Sequence, residues 1–289
     1  MEQINTKKID LDMSKDISEI YRKYGYGDSA HAFNSMYIWA GDMKISAYIC
    51  PDLYSGKFDD TVNTWFFPVG SPKEKKLFIE ERLKCGNLSF KYMTKEDVSF
   101  VREYFPKDFL IEPSPDDSEY IYDRDTIENL PGKGLARKRR YVKQLLKEHV
   151  LKTSLFYDGN LPDVRYILDI WRRNKEEEIY INDKEATAIM LTKINELDIY
   201  GIVLYMDDVP CAVAAGYLLN DSTVDCCLQK SAVNEYGLQY YIRQQFSQVT
   251  PQSVKFYNYE EDLGLEGLRT AKEFMHPCAM VDMYTGKQI

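Results

Sequence analysis

The hydrophobic spacing of the second half changes period in sharp steps. Residues 151–157 form a short extended run that stops at the turn signal Asp158-Gly159-Asn160. Pro162 suits a first helical turn, and Val164, Ile167, Leu168 and Trp171 recur at i, i+3, i+4 and i+7, which predicts a helix with one apolar face. A second helix is expected after Asn182 or Asp183 as its cap, with Ala186, Ile189, Met190, Ile194 and Leu197 inward. The period then shortens to that of strands. Residues 199–206, 209–219 and 222–230 are rich in β-branched and aromatic side chains and are joined by Asp207-Asp208 and Asn220-Asp221, so they predict a three-stranded antiparallel meander. Asn234 is expected to cap a helix carrying Leu238, Tyr241, Ile242 and Phe246. A strand over 254–259, a helix over 265–274 and a last strand over 279–284 complete the half.

The first half reads in the same order. Residues 9–13 are expected as a strand, with Ser14 capping a helix through Tyr24 and a short helix over 33–39. Extended runs at 44–50, near Tyr54 and at 64–69 come next. Ser71-Pro72 then opens a helix through Leu83, 88–93 is a strand, Thr94-Lys95-Glu96-Asp97 starts a helix through Phe105, and 109–122 is extended with a Pro-rich interruption. A repeated β-α-α-β-β-β-α-β-α-β order predicts an α+β protein of two domains, each a mixed, mostly antiparallel sheet flanked by helices. The expected divisions are residues 1–130, a basic connecting helix at 131–150, and residues 151–289.

Length agrees, since 289 residues exceed one core of about 100 to 150. With 44% apolar and 29% charged residues the chain is globular in composition rather than disordered. The N-terminus has no apolar signal region, and the near-apolar stretch at 209–219 falls short of the roughly 20 residues of a membrane helix, so a cytoplasmic protein without a transmembrane segment is expected. Six scattered cysteines without CxxC spacing, beside three histidines, read as reduced structural thiols rather than metal ligands. The net charge of −9 excludes a surface coated all over in nucleic acid. Residues 133–152 nevertheless carry eight Lys or Arg against one Glu, so one basic strip sits on an otherwise acidic chain. If residues 134–149 form one helix, Leu135, Val142, Leu145 and Leu146 face inward, while Lys133, Arg137, Arg140 and Lys147 make an exposed ridge for tRNA or anionic lipid. A solvated face joining two domains is the plain alternative.

Two segments carry a resemblance. The first runs from Tyr122-Asp123 through Lys133-Gly134-Leu135-Ala136-Arg137-Lys138-Arg139-Arg140-Tyr141. The second is Asn258-Tyr259-Glu260-Glu261-Asp262-Leu263-Gly264-Leu265-Glu266-Gly267-Leu268-Arg269-Thr270-Ala271-Lys272, with His276-Pro277 after it. Both resemble an uncharacterised bacterial family related to the C-terminal domain of phosphatidylglycerol lysyltransferases. The order of elements resembles the GCN5-related N-acetyltransferase fold, and its repetition resembles the Fem-type aminoacyl transferases. The resemblance implies direct attack of an amine or hydroxyl on an activated acyl carbonyl in the second domain, with the first domain a degenerate copy. It implies no permanently bound cofactor. An aminoacyl-tRNA donor is the expectation, because Gln229-Lys230-Ser231-Ala232-Val233-Asn234-Glu235-Tyr236-Gly237 lacks the Gly-rich loop of acetyl-CoA enzymes. An acyl-CoA-dependent N-acyltransferase and a non-catalytic binding protein are the rival readings.

Several residues are candidates for that chemistry. In the acidic turn after the 254–259 strand, Glu260 and Asp262 are candidate bases beside Asn258, with a helix-capping role as the alternative for Asp262. Arg269 and Lys272, three apart on one helix face, could clamp an anionic donor or pair with nearby Glu266 and Glu273. Lys230 and Asn234 flank the expected donor loop, and the fold resemblance places Tyr180 and Asn182 on the acceptor side.

Overall fold

The structure is a computed structural model that describes residues 5–175 and 183–289. Strand β1 (Lys7–Lys8) leads through a 3-10 turn at Leu11–Met13 into α1 (Ser14–Tyr24) and α2 (Phe33–Trp39). Strands β2 (Ile45–Cys50), β3 (Leu53–Phe58), β4 (Thr64–Phe66) and β5 (Val69–Gly70) follow. Next come α3 (Pro72–Leu83), β6 (Ser89–Met93), α4 (Lys95–Tyr104) and β7 (Phe109–Pro113). Residues 9–13, expected as a strand, are therefore mostly helical, because Asp10 accepts from the Asp12 N–H and turns the chain. The expected caps of α3 and α4 form: Ser71 accepts from the Glu74 N–H, and Thr94 with Asp97 makes a reciprocal capping box.

The second part begins earlier than expected, with β8 (Glu119–Asp123) and α5 (Arg124–Asn129). The basic helix α6 (Ala136–Glu148), β9 (Leu151–Leu155), α7 (Leu161–Lys175) and α8 (Lys184–Thr192) precede the meander of β10 (Tyr200–Met206), β11 (Val209–Asn220) and β12 (Thr223–Ser231). Asp207 and Asp208 both adopt positive φ, as the tight β10–β11 hairpin requires. The chain ends with α9 (Leu238–Val249), β13 (Phe256–Asn258), α10 (Glu266–Glu273), β14 (Ala279–Val281) and β15 (Tyr284–Gln288).

Among the described residues these strands form two mixed sheets flanked by helices. One has the order β1-β2-β3-β4-β6-β15-β7 with β5 on β3, and the other the order β14-β8-β13-β12-β11-β10-β9. The sheets exchange strands across the expected divisions at 130 and 150. Strand β8, from the first half, lies between β13 and β14, while the last strand, β15, returns to pair with β6 and β7. Residues 279–284, expected as one strand, are split between the sheets at buried Met283. Its N–H donates to Ser118 Oγ, and its carbonyl accepts from the Ser114 N–H. Hydrophobic period identifies a strand but not its partner, and every buried N–H and C=O must find one.

Three apolar clusters build the layers. Phe78, Ile79, Val98 and Val101 of α3 and α4 pack on the outer face of the first sheet. Leu145, Leu238, Ile242 and Phe246 of α6 and α9 cover the outer face of the second. Between the sheets, Ile17, Phe33, Met36, Val164, Leu168 and Met190 from four helices form a shared middle layer against Tyr54 and Phe66 on one side and Val203 and Val213 on the other. In α6, Leu135, Val142 and Leu145 are buried as the spacing predicts, but Leu146 is exposed, since the inward stripe is narrower than four residues. No helix among the described residues is long and apolar enough to cross a membrane.

Candidate active site at a strand fork

Strand β12 pairs with β11 along most of its length but with β13, in parallel, only at Thr223↔Phe256, Val224↔Tyr257 and Asp225↔Asn258. Beyond Asp225 the two strands part. The cause is local: Asn258 Oδ1 accepts the Glu260 N–H at 2.8 Å, and Glu260 itself takes φ +56°, which turns the chain away from β12. The side of β12 that faced β13 then has no strand partner over residues 226–231 among the described residues, leaving a half-buried backbone edge.

Acidic side chains collect at this fork on the middle-layer side. Asp225 is fully buried against its cross-strand neighbour Tyr217, and among the described residues neither side chain makes a well-aligned hydrogen bond to any other group. Burial pushes the Asp225 carboxyl up to about 7, against the Tyr217 hydroxyl beside it, which lowers it, and the nearby Glu261 charge adds to the rise. Glu260 stands well above the usual carboxylate range, first through burial and then through the charges of Asp225 and Glu261, yet it keeps some solvent access. Glu119 is raised by burial and by Asp28. It accepts from the Ser29 N–H at 2.9 Å, the Ser29 hydroxyl at 2.7 Å and the Asn258 amide. Asn258 thus holds Glu119 and the Glu260 turn in register. Lys272 donates to the carbonyls of Tyr259 at 2.7 Å, Glu260 at 3.1 Å and Glu261. Its ammonium fastens the turn from behind.

The raised Asp225 carboxyl has a measurable consequence. Folding with a raised carboxyl pKa favours the protonated state, so the stability this group contributes is full below about pH 4 and is lost as pH rises through about 7. Asp225→Asn, facing Tyr217, Glu261 and Lys272, removes that loss. The variant is expected to be more stable than wild type at pH 8, by roughly 4 kcal/mol at most, with the difference closing toward pH 4. Chemical denaturation at both pH values measures it; a gap independent of pH contradicts the assignment.

The far end of β12, at Gln229, Lys230 and Ser231, lines a cleft of about 710 Å³ together with Arg137, Tyr141, Trp171 and Asn234. The Lys230 ammonium lies 3.2 Å from Asp183 and 3.5 Å from the Trp171 ring centre, and burial lowers its pKa. Arg172 shares Asp183 at 3.3 Å. Asn234 lines the cleft but does not cap α9. The cap is Gly237 at φ +94°, where a Cβ would lie 2.6 Å from the Tyr141 backbone, so the chain has to complete its turn at the one residue that fits against α6. This contact sets the basic helix at the cleft mouth, with Arg137 over Tyr141 and Tyr141 against Tyr236. Lys133, Arg137, Arg140 and Lys147 are all exposed.

Other expected site residues have structural occupations. Asp262 is fully buried and accepts from the Tyr120 hydroxyl at 2.6 Å, Arg269 Nε at 2.8 Å and Nη2 at 2.9 Å, and the Gly264 N–H at 2.9 Å. These partners hold it ionised below the usual range, which ill suits a base. Arg269 also grips Asp116 at 2.7 Å. With Lys272, these residues shape the turn and do not line the cleft. Tyr180 and Asn182 lie outside the described residues. Cys227 sits at the fork, but burial pushes its thiol well up, and it donates to the Ala215 carbonyl. Sequence reading passed over Asp225, Glu119, Tyr217 and Arg243. For the two acids a signal existed: Asp225 interrupts the β-run Thr223-Val224-Asp225-Cys226-Cys227, and Glu119 opens Glu119-Tyr120-Ile121-Tyr122, places where a carboxylate has a low strand propensity.

Comparison with known proteins gives the family and the fold. The family described as phosphatidylglycerol lysyltransferase, C-terminal, matches residues 21–285. A conserved protein of unknown function from Bacteroides thetaiotaomicron is similar in structure at a TM-score of 0.91, with 20% identity over 99% of this chain and 100% of that one. L-PGS from Bacillus licheniformis gives 0.69, with 15% identity over 99% and 94% of the two chains. FemX gives 0.63, with 8% identity over 96% of each. The tandem GCN5-related fold is shared as well. No protein of curated function matches the sequence.

Proposed function

Because the chain belongs to the family of the phosphatidylglycerol lysyltransferase C-terminal domain, we propose that it moves an aminoacyl group from an aminoacyl-tRNA ester to an amine or hydroxyl acceptor at the fork between β12 and β13. The observation that carries the reading is the unpaired β12 edge beside Glu260, a carboxyl raised well above its ordinary range on a residue that is only partly buried. The acceptor nitrogen or oxygen attacks the acyl carbon while Glu260 takes its proton. The ester bond then breaks toward the ribose oxygen, which receives a proton in turn. No covalent enzyme intermediate is needed, and the Cys227 thiol is held protonated.

Two features favour this donor. Buried Asp225, with Tyr217 against it and Glu261 close by, has carboxylate lone pairs left over for an ammonium, so a basic aminoacyl group fits the fork better than a neutral acyl chain. The loop before α9 has one glycine, and that glycine is already pressed on Tyr141, leaving no flexible backbone to cradle the pyrophosphate of an acyl-CoA. The α6 ridge beside the cleft suits the phosphates of an acceptor stem. A double reversal, Arg137→Glu with Arg140→Glu, is expected to weaken tRNA binding and to flatten the plot of log affinity against log salt by about 0.7 to 0.9 for each phosphate no longer neutralised. An unchanged slope removes the ridge from the reading.

The test of the reaction is direct. Wild-type protein with a panel of radiolabelled aminoacyl-tRNAs and phosphatidylglycerol vesicles is expected to transfer label from a basic aminoacyl-tRNA and none from acetyl-CoA. Transfer from acetyl-CoA alone, or from neither donor, overturns the proposal.

A further inference from the structure

Five buried side-chain atoms among the described residues lack a hydrogen-bond partner: Arg82 Nε, the Tyr217 hydroxyl, both oxygens of Asp225, and Arg243 Nη1. Four of these belong to residues at the fork. The Asp225 and Tyr217 atoms suit a cation, as above, but Arg243 approaches from α9 on the opposite side of the sheet. Its Nε donates to Gln229 on the parted segment of β12 at 2.9 Å, and its guanidinium lies 4.4 Å from the ring centre of Tyr259, just past the end of β13. The guanidinium therefore spans the two diverging strand ends, tethered to one and stacked on the other. Leaving a buried charge-bearing N–H unpaired is costly, so an acceptor from outside the chain is expected to complete it.

We infer that Arg243 Nη1 donates to the acyl carbonyl oxygen and receives the negative charge that develops on it as the acceptor attacks. This deepens the transfer reading and rests on it. A carbonyl oxygen suits the place better than a phosphate. A single shielded nitrogen, bounded by a neutral amide and an aromatic face, matches one oxygen atom rather than the several of a phosphate. During the reaction the carbonyl π pair moves onto that oxygen and returns as the ester bond breaks, so Arg243 neither gains nor loses a proton.

The experiment compares wild type with Arg243→Gln and Gln229→Met in two measurements. In steady-state transfer, Arg243→Gln is expected to lower kcat by about 10²- to 10³-fold with KM changed less than about 3-fold. In calorimetry, the protein is titrated with the methyl monoester of the phosphonate analogue of lysine, which bears a tetrahedral anionic group, and with lysinamide, which keeps the lysine ammonium but has an uncharged planar amide in its place. Wild type is expected to prefer the phosphonate by about 10-fold or more, a preference Arg243→Gln loses while its lysinamide affinity stays. Unchanged kcat, or a preference that survives the substitution, overturns the inference, as does a parallel fall in both affinities. Should wild type transfer no aminoacyl group, the transfer reading fails by itself, and the phosphonate preference still decides whether Arg243 is an oxyanion donor. If Arg243→Gln does not fold, Gln229→Met decides, since releasing the tether is expected to reduce the preference by about 3-fold or more; an intact preference there contradicts the role.

Discussion

Glu260→Gln is expected to lower kcat for aminoacyl transfer by about 10²- to 10⁴-fold while leaving the protein at least as stable as wild type. The two halves of that result have one origin. The Glu260 side chain makes no hydrogen bond among the described residues, and its charge is opposed by Asp225, Glu261 and Glu119 and offset by Lys272. A neutral amide of the same shape relieves that repulsion and cannot take a proton. Below its raised pKa the wild-type carboxyl is protonated and inactive as a base, so kcat/KM should climb as pH rises through the raised pKa, and the residual activity of Glu260→Gln should lack that limb. A pH–rate profile of both proteins checks the prediction; a rising limb kept by the variant assigns it to another group.

Lys272→Met is expected to destabilise the protein by about 3 kcal/mol or more and to abolish transfer by displacing the turn. The ammonium donates to three successive carbonyls, and a thioether of similar length satisfies none of them, each buried unpaired carbonyl costing about 1 to 3 kcal/mol. It also removes the countercharge to Glu260 and Glu261. Thermal denaturation separates this from the role expected on sequence grounds, a contact to an anionic donor. A donor contact predicts a weaker KM with an unchanged melting temperature, whereas the turn-holding role predicts a fall of roughly 6 to 12 °C.

The distance between those two expectations for Lys272 shows how much the sequence could say. Local pattern carried far: the meander, the Ser71 and Thr94 caps, and the helices after Pro72 and Asp183 follow from spacing and capping chemistry. The acidic turn was also visible, and Glu260 stands at the fork as its position after a strand suggested. Partnering was not visible. That β8 joins the second sheet and β15 the first depends on long-range pairing, for which period 2 carries no label. The same limit governed the site. Arg269 with Asp262 looked like a clamp and a base when only their spacing was known. Once Tyr120 of β8 is brought beside them, every acceptor on Asp262 is occupied. Asp225 was hidden by the opposite problem, because nothing in its neighbours announces that the adjacent strand will stop at Asn258. Arg243 showed only as one polar residue on an amphipathic helix until Gln229 and Tyr259 were placed on either side of it.

The central claim is that the parted ends of β12 and β13 receive the acyl group, and a crystal structure with a stable 3′-aminoacylamino-adenosine carrying a lysyl group tests it most directly. The account predicts density for the acyl carbonyl against the unpaired edge of β12 at residues 226–231, with the ammonium toward Asp225 and Tyr217 and the adenosine in the cleft beside Lys230. Density instead in the larger cleft of about 920 Å³, which includes Ser14, Asn34 and Asp198, with the fork empty, would contradict it.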